Sequence, residues 1–171
     1  MKNKLNILFM GTPDFALGVL QKIYNLEYNL CGVVTAPDKK AGRGKKKKES
    51  AVKKWAVSKK LPVYQPTNLK SEQFYDQLKA LNPDIIVVVA FRMLPKKVWD
   101  FPPYGTINLH ASILPDYRGA APIHWAIING ETKTGVTTFF INEEIDTGKI
   151  IHSKEVEIDE DDNVASLHDK L

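Results

Sequence analysis

The apolar positions of this chain fall into short blocks whose period keeps changing. Lys4 to Met10 is nearly continuous through Leu5, Ile7, Leu8 and Phe9, the pattern of a buried strand, and Gly11-Thr12-Pro13 stops it. From Asp14 to Leu26 the apolar residues recur at helical spacing, at Phe15, Leu17, Val19, Leu20, Ile23 and Leu26. A second strand is expected from Leu30 to Ala36, around Val33-Val34. Pro37 to Glu49 carries no periodicity and reads as a loop. Ser50 is placed to cap a helix over Ala51 to Lys60, and Val63-Tyr64 is a short strand. Ser71 opens a helix with Glu72 in its first turn and Phe74, Leu78 and Leu81 along one face, and Pro83 ends it. Asp84 to Ala90 is apolar at every interior position and mostly β-branched, which suits a strand covered on both faces, as in a parallel sheet. Thr106 to Leu109 is a further strand and Ala121 to Asn129 a helix. Gly135 to Ile141 alternates and suggests an antiparallel edge, with Gly148 to Ile158 as its hairpin partner. Asn163 to Leu171 starts a helix that meets no stop signal.

Strand and helix alternating at this spacing predict the α/β class with a largely parallel sheet. The 171 residues, 43% of them apolar and 26% charged, are ordinary for a globular domain and argue against disorder. The longest apolar run, Ile85 to Phe91, is seven residues, too short to span a bilayer, and no signal-peptide core follows the N-terminus. One cysteine, Cys31, leaves no internal disulfide and no cysteine-based zinc site, which fits a cytoplasmic, reducing location. The net charge of +4 hides a strong asymmetry. Pro37 to Lys60 holds eleven Lys and Arg against two acids, while Glu143 to Leu171 holds ten acids against three Lys. A chain split this way can hold a polyanion at one edge and keep it off the other.

Ligands of open α/β sheets bind beyond the carboxyl ends of the strands. Three segments fit that rule: Gly11-Thr12-Pro13, Phe91-Arg92-Met93, and the run from Asn108 to Arg118. In the last, Asn108 and His110 alternate at a strand end and so share a face. An amide there can donate to an oxyanion and an imidazole can move a proton; equally, the pair can be a polar strand end bonded to its own loop. Asp146 sits in a turn, where an aspartate can orient a histidine or simply form the turn. His124, His152 and His168 have no close-spaced partner, so no metal site is expected. The basic segment Asp38 to Lys48 fails the spacing of both the phosphate loop and the dinucleotide fingerprint. It reads either as an electrostatic dock for nucleic acid or as a solvated loop.

Taken together, four motifs in order resemble the folate-dependent formyltransferase family over essentially the whole chain. They are Phe9-Met10-Gly11-Thr12-Pro13-Asp14-Phe15; Pro37-Asp38 leading into Ala41-Gly42-Arg43-Gly44-Lys45; Asn108-Leu109-His110 through Ser112-Ile113-Leu114-Pro115 to Tyr117-Arg118-Gly119-Ala120-Ala121-Pro122; and Asp146-Thr147-Gly148. The resemblance implies a Rossmann-like, open, mostly parallel sheet with helices on both faces and a C-terminal antiparallel hairpin. It implies 10-formyltetrahydrofolate as formyl donor and points to the branch of the family that formylates methionyl initiator tRNA for translation initiation. A monomer with no metal and no membrane partner is expected. By carry-over, Asn108, His110 and Asp146 match the catalytic trio. Ser112, Ile113, Leu114 and Pro115, with Phe91, Arg92 and Met93, match folate-contacting segments. Arg43, with Lys45, Lys46, Lys47 and Lys48, matches the loop that enters the tRNA acceptor stem.

Two local departures stand out. Ala111 replaces a glycine common in the family, and Ala90 to Pro95 is one residue shorter than the commoner form, with Arg92 in the glycine region. The family also continues into a C-terminal β-barrel that helps bind tRNA, so residues 1–171 are expected to be a catalytic domain cut within its last helix. Two other readings remain. One is a related formyltransferase acting on glycinamide ribonucleotide or an amino sugar nucleotide. The other is a non-catalytic nucleic-acid-binding module, which accounts for the basic segment but not for Asn108, His110 and Asp146.

Overall fold

Strands β1 (Asn6–Gly11), β2 (Asn29–Val34), β5 (Val63–Tyr64) and β6 (Ile85–Val89) form a parallel set in the order β5-β2-β1-β6. They belong to a computed structural model that describes residues 5–41 and 46–171, and the side chains of 5–38 and 48–171. Two compact units are present, residues 1–106 and 107–171.

The first unit follows from its apolar blocks. All of Ile7 to Gly11 is buried, as is all of Ile86 to Val89. Successive residues of a strand point to opposite faces, so both faces of this sheet are covered. Helices α1 (Asp14–Asn25), α2 (Ala51–Ser58) and α3 (Glu72–Leu81) turn Ala16 and Leu20, Val52 and Ala56, and Phe74 and Leu78 inward. The starts of α2 and α3 follow capping chemistry. Ser50 accepts from the Lys53 amide and Ser71 from the Phe74 amide. At the other end of α3, Asn82 takes the left-handed conformation and stops the helix one residue before Pro83.

Two features of this unit depart from the sequence expectation. Pro37 to Glu49 is not wholly a loop: β3 (Lys39–Ala41) and β4 (Lys46–Lys48) pair antiparallel, setting Lys39 opposite Lys48 and Lys40 opposite Lys47. Five lysines and one alanine in the two strands leave no hydrophobic period to read. Arg43 and Lys45 lie outside the described residues, and of Lys46 and Lys47 only the backbone is described. The short helix α4 (Lys96–Trp99), which buries Val98, is a single turn and too brief to show a period.

In the second unit β7 (Thr106–His110), β8 (Lys133–Phe140) and β9 (Ile150–Glu157) run antiparallel in that order, with α5 (Pro122–Ile128) and α6 (Val164–Lys170). The expected edge strand, β8, in fact pairs on both sides, and β9 is the edge. Lys154, Glu155 and Glu157 on β9 are exposed, charges that discourage pairing with another chain. The α/β class, the parallel set and the C-terminal hairpin all match the pattern of the sequence. Helix α6 begins with a capping box between Asn163 and Ser166, and Lys170 ties it back to Asp159 at 2.6 Å and to Asp162.

That tie has a pH signature. Hydrogen bonds from Lys170, then from Ser166, lower the Asp162 carboxyl to about 2. Its contribution is therefore present above the unfolded value, about 3.9, and is lost as pH falls toward 2. Denaturation midpoints of the protein and of Asp162→Asn, compared between pH 6 and 2, should differ most above pH 4 and converge below it. A constant gap across that range would remove the ion pair from the stability of α6.

Candidate active site

Alternation along β7 puts Asn108 and His110 on one face, with Asn108 opposite Phe139 and His110 opposite Thr137. His110 is only 7% exposed. Its Nε2 lies 2.8 Å from the Tyr117 carbonyl oxygen. A carbonyl only accepts, so Nε2 carries hydrogen and donates. Nδ1 faces the other way, 3.7 Å from Asp146 Oδ2. That separation is too long for a hydrogen bond and short enough for direct charge interaction. With Nε2 committed, Nδ1 is the ring nitrogen at which a proton can be gained or given up.

Asp146 lies between β8 and β9 in the left-handed conformation, φ 52°. Its Oδ2 accepts the Gly119 amide at 2.8 Å, and its carbonyl accepts Arg118 Nε at 3.0 Å. Gly119 has φ 84°, a region that favours glycine. The turn is built locally by Asn142, whose Oδ1 accepts the Glu144 amide at 3.1 Å and the Thr147 hydroxyl at 3.0 Å. Gly148 is required there, because a Cβ would sit 1.6 Å from the Phe140 carbonyl oxygen.

The segment from Ser112 to Gly119 is folded onto β8 by hydrogen bonds. Thr137 Oγ1 donates to the Ser112 carbonyl at 2.7 Å and accepts the Leu114 amide at 3.1 Å. Ser112 is fully buried and its hydroxyl donates to the Asp116 carbonyl at 2.6 Å. Leu114 is buried, Ile113 half-buried and Pro115 exposed. The Tyr117 phenol donates to Glu131 and accepts from Asn129 Nδ2 at 2.9 Å. The Glu131 carboxylate raises the phenol above its ordinary pKa. A cavity of about 500 Å³ is lined by Ile113, Asp116, Tyr117, Glu131, Lys133, Thr134 and Glu155, and none of Asn108, His110 and Asp146 lines it.

Among the sequence candidates, then, His110 and Asp146 meet and Asn108 shares the His110 face. In the first unit, Arg92 donates through Nη2 to the Pro66 carbonyl at 2.7 Å and through Nη1 to the Thr67 carbonyl at 3.1 Å, and its guanidinium lies 5.2 Å from the Phe91 ring centre. Met93 is exposed. Lys48 is exposed at the end of β4. His124, His152 and His168 lie on α5, β9 and α6, and among the described residues no group of three or more His, Cys, Asp and Glu is placed to hold a metal. Sequence reasoning missed Thr137 and the anchoring of Tyr117 by Asn129 and Glu131. Tyr117-Arg118-Gly119 is visible in the sequence only as a motif, without its role of bonding to both His110 and Asp146. A lone threonine in an alternating strand gives no signal of its own.

The formyl transferase family model matches residues 3–171. The chain is similar to the methionyl-tRNA formyltransferase of Flavobacterium johnsoniae, 61% identical over 168 residues that cover 98% of this chain and 53% of that protein. It is also similar to the methionyl-tRNA formyltransferase of Bacteroides thetaiotaomicron, 55% identical over 170 residues, 99% of this chain and 53% of that one. The chain thus spans about half the length of these curated relatives. Among solved structures it resembles a phosphoribosylglycinamide formyltransferase from Bacillus halodurans, with TM-score 0.79, 22% identity, and coverage of 96% of this chain and 86% of that one. Likeness at that identity speaks to the fold. With a family model matched from residue 3 to residue 171, the chain belongs to the formyl transferase family.

Proposed function

We propose that the whole protein transfers the formyl group of 10-formyltetrahydrofolate to the α-amino group of methionyl initiator tRNA, with Asn108, His110 and Asp146 as its catalytic residues. The observation that carries this reading is the convergence of His110 and Asp146, 36 positions apart in the chain, at 3.7 Å on a half-buried face. Its acceptor rests on the methionyl-tRNA formyltransferases that share 54–62% identity with this chain.

The chemistry follows from these groups. The α-amine attacks the formyl carbon, a C–N bond forms, and the formyl oxygen becomes an oxyanion. The Asn108 amide donates to that oxygen. His110, protonated at Nδ1, places positive charge beside it, and the Asp146 carboxylate holds that charge in place. Collapse of the intermediate breaks the bond to N10 of the folate. N10 takes a proton and the amine loses one, and Nδ1 is the site through which that exchange passes. The products are tetrahydrofolate and formyl-methionyl-tRNA, and no redox change occurs.

Ser112 to Pro115 and Phe91 to Met93 are the proposed folate-contacting segments. The buried, bonded Ser112 hydroxyl leaves the half-buried Ile113 and exposed Pro115 as the contacts of the first. In the second, the guanidinium of Arg92 is held by two carbonyls, so Phe91 and Met93 offer the apolar surface. Lys46, Lys47 and Lys48, with Arg43 and Lys45, are the proposed docking charges for the acceptor stem. Their action is electrostatic, through release of counterions from the RNA.

Two outcomes test this. In the whole protein, Asn108→Ala should lower kcat by about 10²–10³-fold, the usual cost of one oxyanion donor, while folate affinity is retained. Asp146→Asn, which keeps an oxygen for the Gly119 amide but removes the charge facing Nδ1, should also lower kcat with folding intact. Full activity of either variant in single-turnover assays would sink the assignment. Separately, replacing Lys46, Lys47 and Lys48 by Ala should flatten the dependence of tRNA affinity on salt, by about 0.7–0.9 in slope for each phosphate that is no longer neutralised. An unchanged slope in binding titrations would take β4 out of RNA docking.

A further inference from the structure

The basic hairpin leaves and re-enters the first unit through a ring of polar contacts that neither the catalytic chemistry nor phosphate docking explains. Asp38 immediately precedes β3 and Glu49 immediately follows β4. Lys53, in the first turn of α2, reaches both: its Nζ is 2.6 Å from Asp38 Oδ2 and 2.8 Å from Glu49 Oε1. The Lys53 and Asp38 side chains are only 17% and 16% exposed. The other Asp38 oxygen accepts Gln65 Nε2 at 2.8 Å, and the same nitrogen donates to the Ala36 carbonyl at 2.8 Å. Ser50 caps α2 and also meets the Thr35 hydroxyl at 3.0 Å. Both ends of the 39–48 segment are thereby tied to α2 and to the residue following β5.

Helix energetics and simple charge matching both argue against this arrangement. A cation in the first turn of a helix opposes the helix dipole. Two carboxylates at the base of a segment meant to attract phosphates weaken that attraction. Their hydrogen bonds, Asp38 first and Glu49 second, hold the Lys53 ammonium in its charged form above the ordinary lysine range. What the ring does is close the base of the hairpin, fixing where the chain departs and where it returns.

We propose that Lys53 is a positioning residue for RNA docking: by bridging Asp38 and Glu49 it fixes the base from which β3 departs and to which β4 returns. This rests on the reading of that hairpin as the RNA-docking segment. A segment held in its binding orientation loses less freedom on association and binds more tightly for the same contacts.

The sign of one substitution separates positioning from charge. Asp38→Asn removes a negative charge beside a polyanion site, so electrostatics alone predicts tighter RNA binding. Positioning predicts weaker binding, on the order of 10-fold in Kd, because loosening the base restores freedom that association must remove. In the whole protein, Asp38→Asn and Lys53→Met should raise both Kd and KM for methionyl-tRNA, with KM for the formyl donor and the melting temperature close to those of the parent. Lys53→Arg, which keeps the bridge, should restore RNA affinity. Folded Asp38→Asn and Lys53→Met proteins that bind RNA as well as the parent, or better, overturn the proposal. The triple Lys46, Lys47 and Lys48 to Ala variant is measured alongside. If it too leaves RNA affinity unchanged, the docking reading itself has failed. If it weakens binding while the variants at the base do not, only the positioning role is refuted.

Discussion

The geometry of the candidate site depends on one turn, Tyr117-Arg118-Gly119, bonded to both members of a pair that the chain keeps far apart. Its first carbonyl takes the Nε2 hydrogen of His110, and its last amide gives a hydrogen bond to Asp146. Each contact removes one freedom of the pair. The carbonyl decides which ring nitrogen carries the fixed hydrogen, and the amide decides where the carboxylate points. The turn is itself held from both sides. The Tyr117 phenol is bonded to Glu131 and Asn129, and Arg118 grips the Asp146 carbonyl. Because Tyr117 and Asp146, neither of them glycine, have positive φ, the backbone at those two residues is held in place by these bonds rather than by local preference.

The same turn explains how a carboxylate can stand beside a buried ring without a tight bond to it. A half-buried carboxylate must be satisfied by donors, and the Gly119 amide meets Oδ2 at 2.8 Å. The imidazole is left at 3.7 Å, within reach of the carboxylate's charge but beyond a short hydrogen bond. The donor that satisfies Asp146 is thus a backbone amide, and the ring it faces is oriented by a different contact, through Nε2.

Much of this was legible in the sequence. The uninterrupted apolar run Ile85 to Val89 marks a strand covered on both faces, and Ser50 and Ser71 mark helix starts, because burial and capping are written in residue type and spacing. The shared face of Asn108 and His110 is likewise a matter of strand alternation. Asp146 was different. Nothing in spacing places a turn residue against a histidine 36 positions earlier; only the motif order suggested it, and the register of β7 with β8 makes it possible. The β3–β4 hairpin was invisible for the opposite reason. Backbone pairing between lysine-rich segments leaves no hydrophobic period, so the pattern of the sequence there is that of a loop.

The base of that hairpin carries the same lesson in a different place. Asp38 and Glu49 are the only acids between Pro37 and Lys60, and counted as charge they merely reduce a local excess of lysine. In the fold they stand at the two ends of the hairpin and meet on one ammonium, and Gln65 closes the ring through Asp38 and the Ala36 carbonyl. A cationic segment attracts any polyanion; a cationic segment leaving from a fixed base can favour a surface whose phosphates lie at matching positions. Charge alone supplies attraction to RNA in general. On the reading of that hairpin as an RNA dock, discrimination for a particular acceptor comes from the base at which its strands depart and return, and Asp38, Glu49 and Lys53, which together add no positive charge, stand at that base.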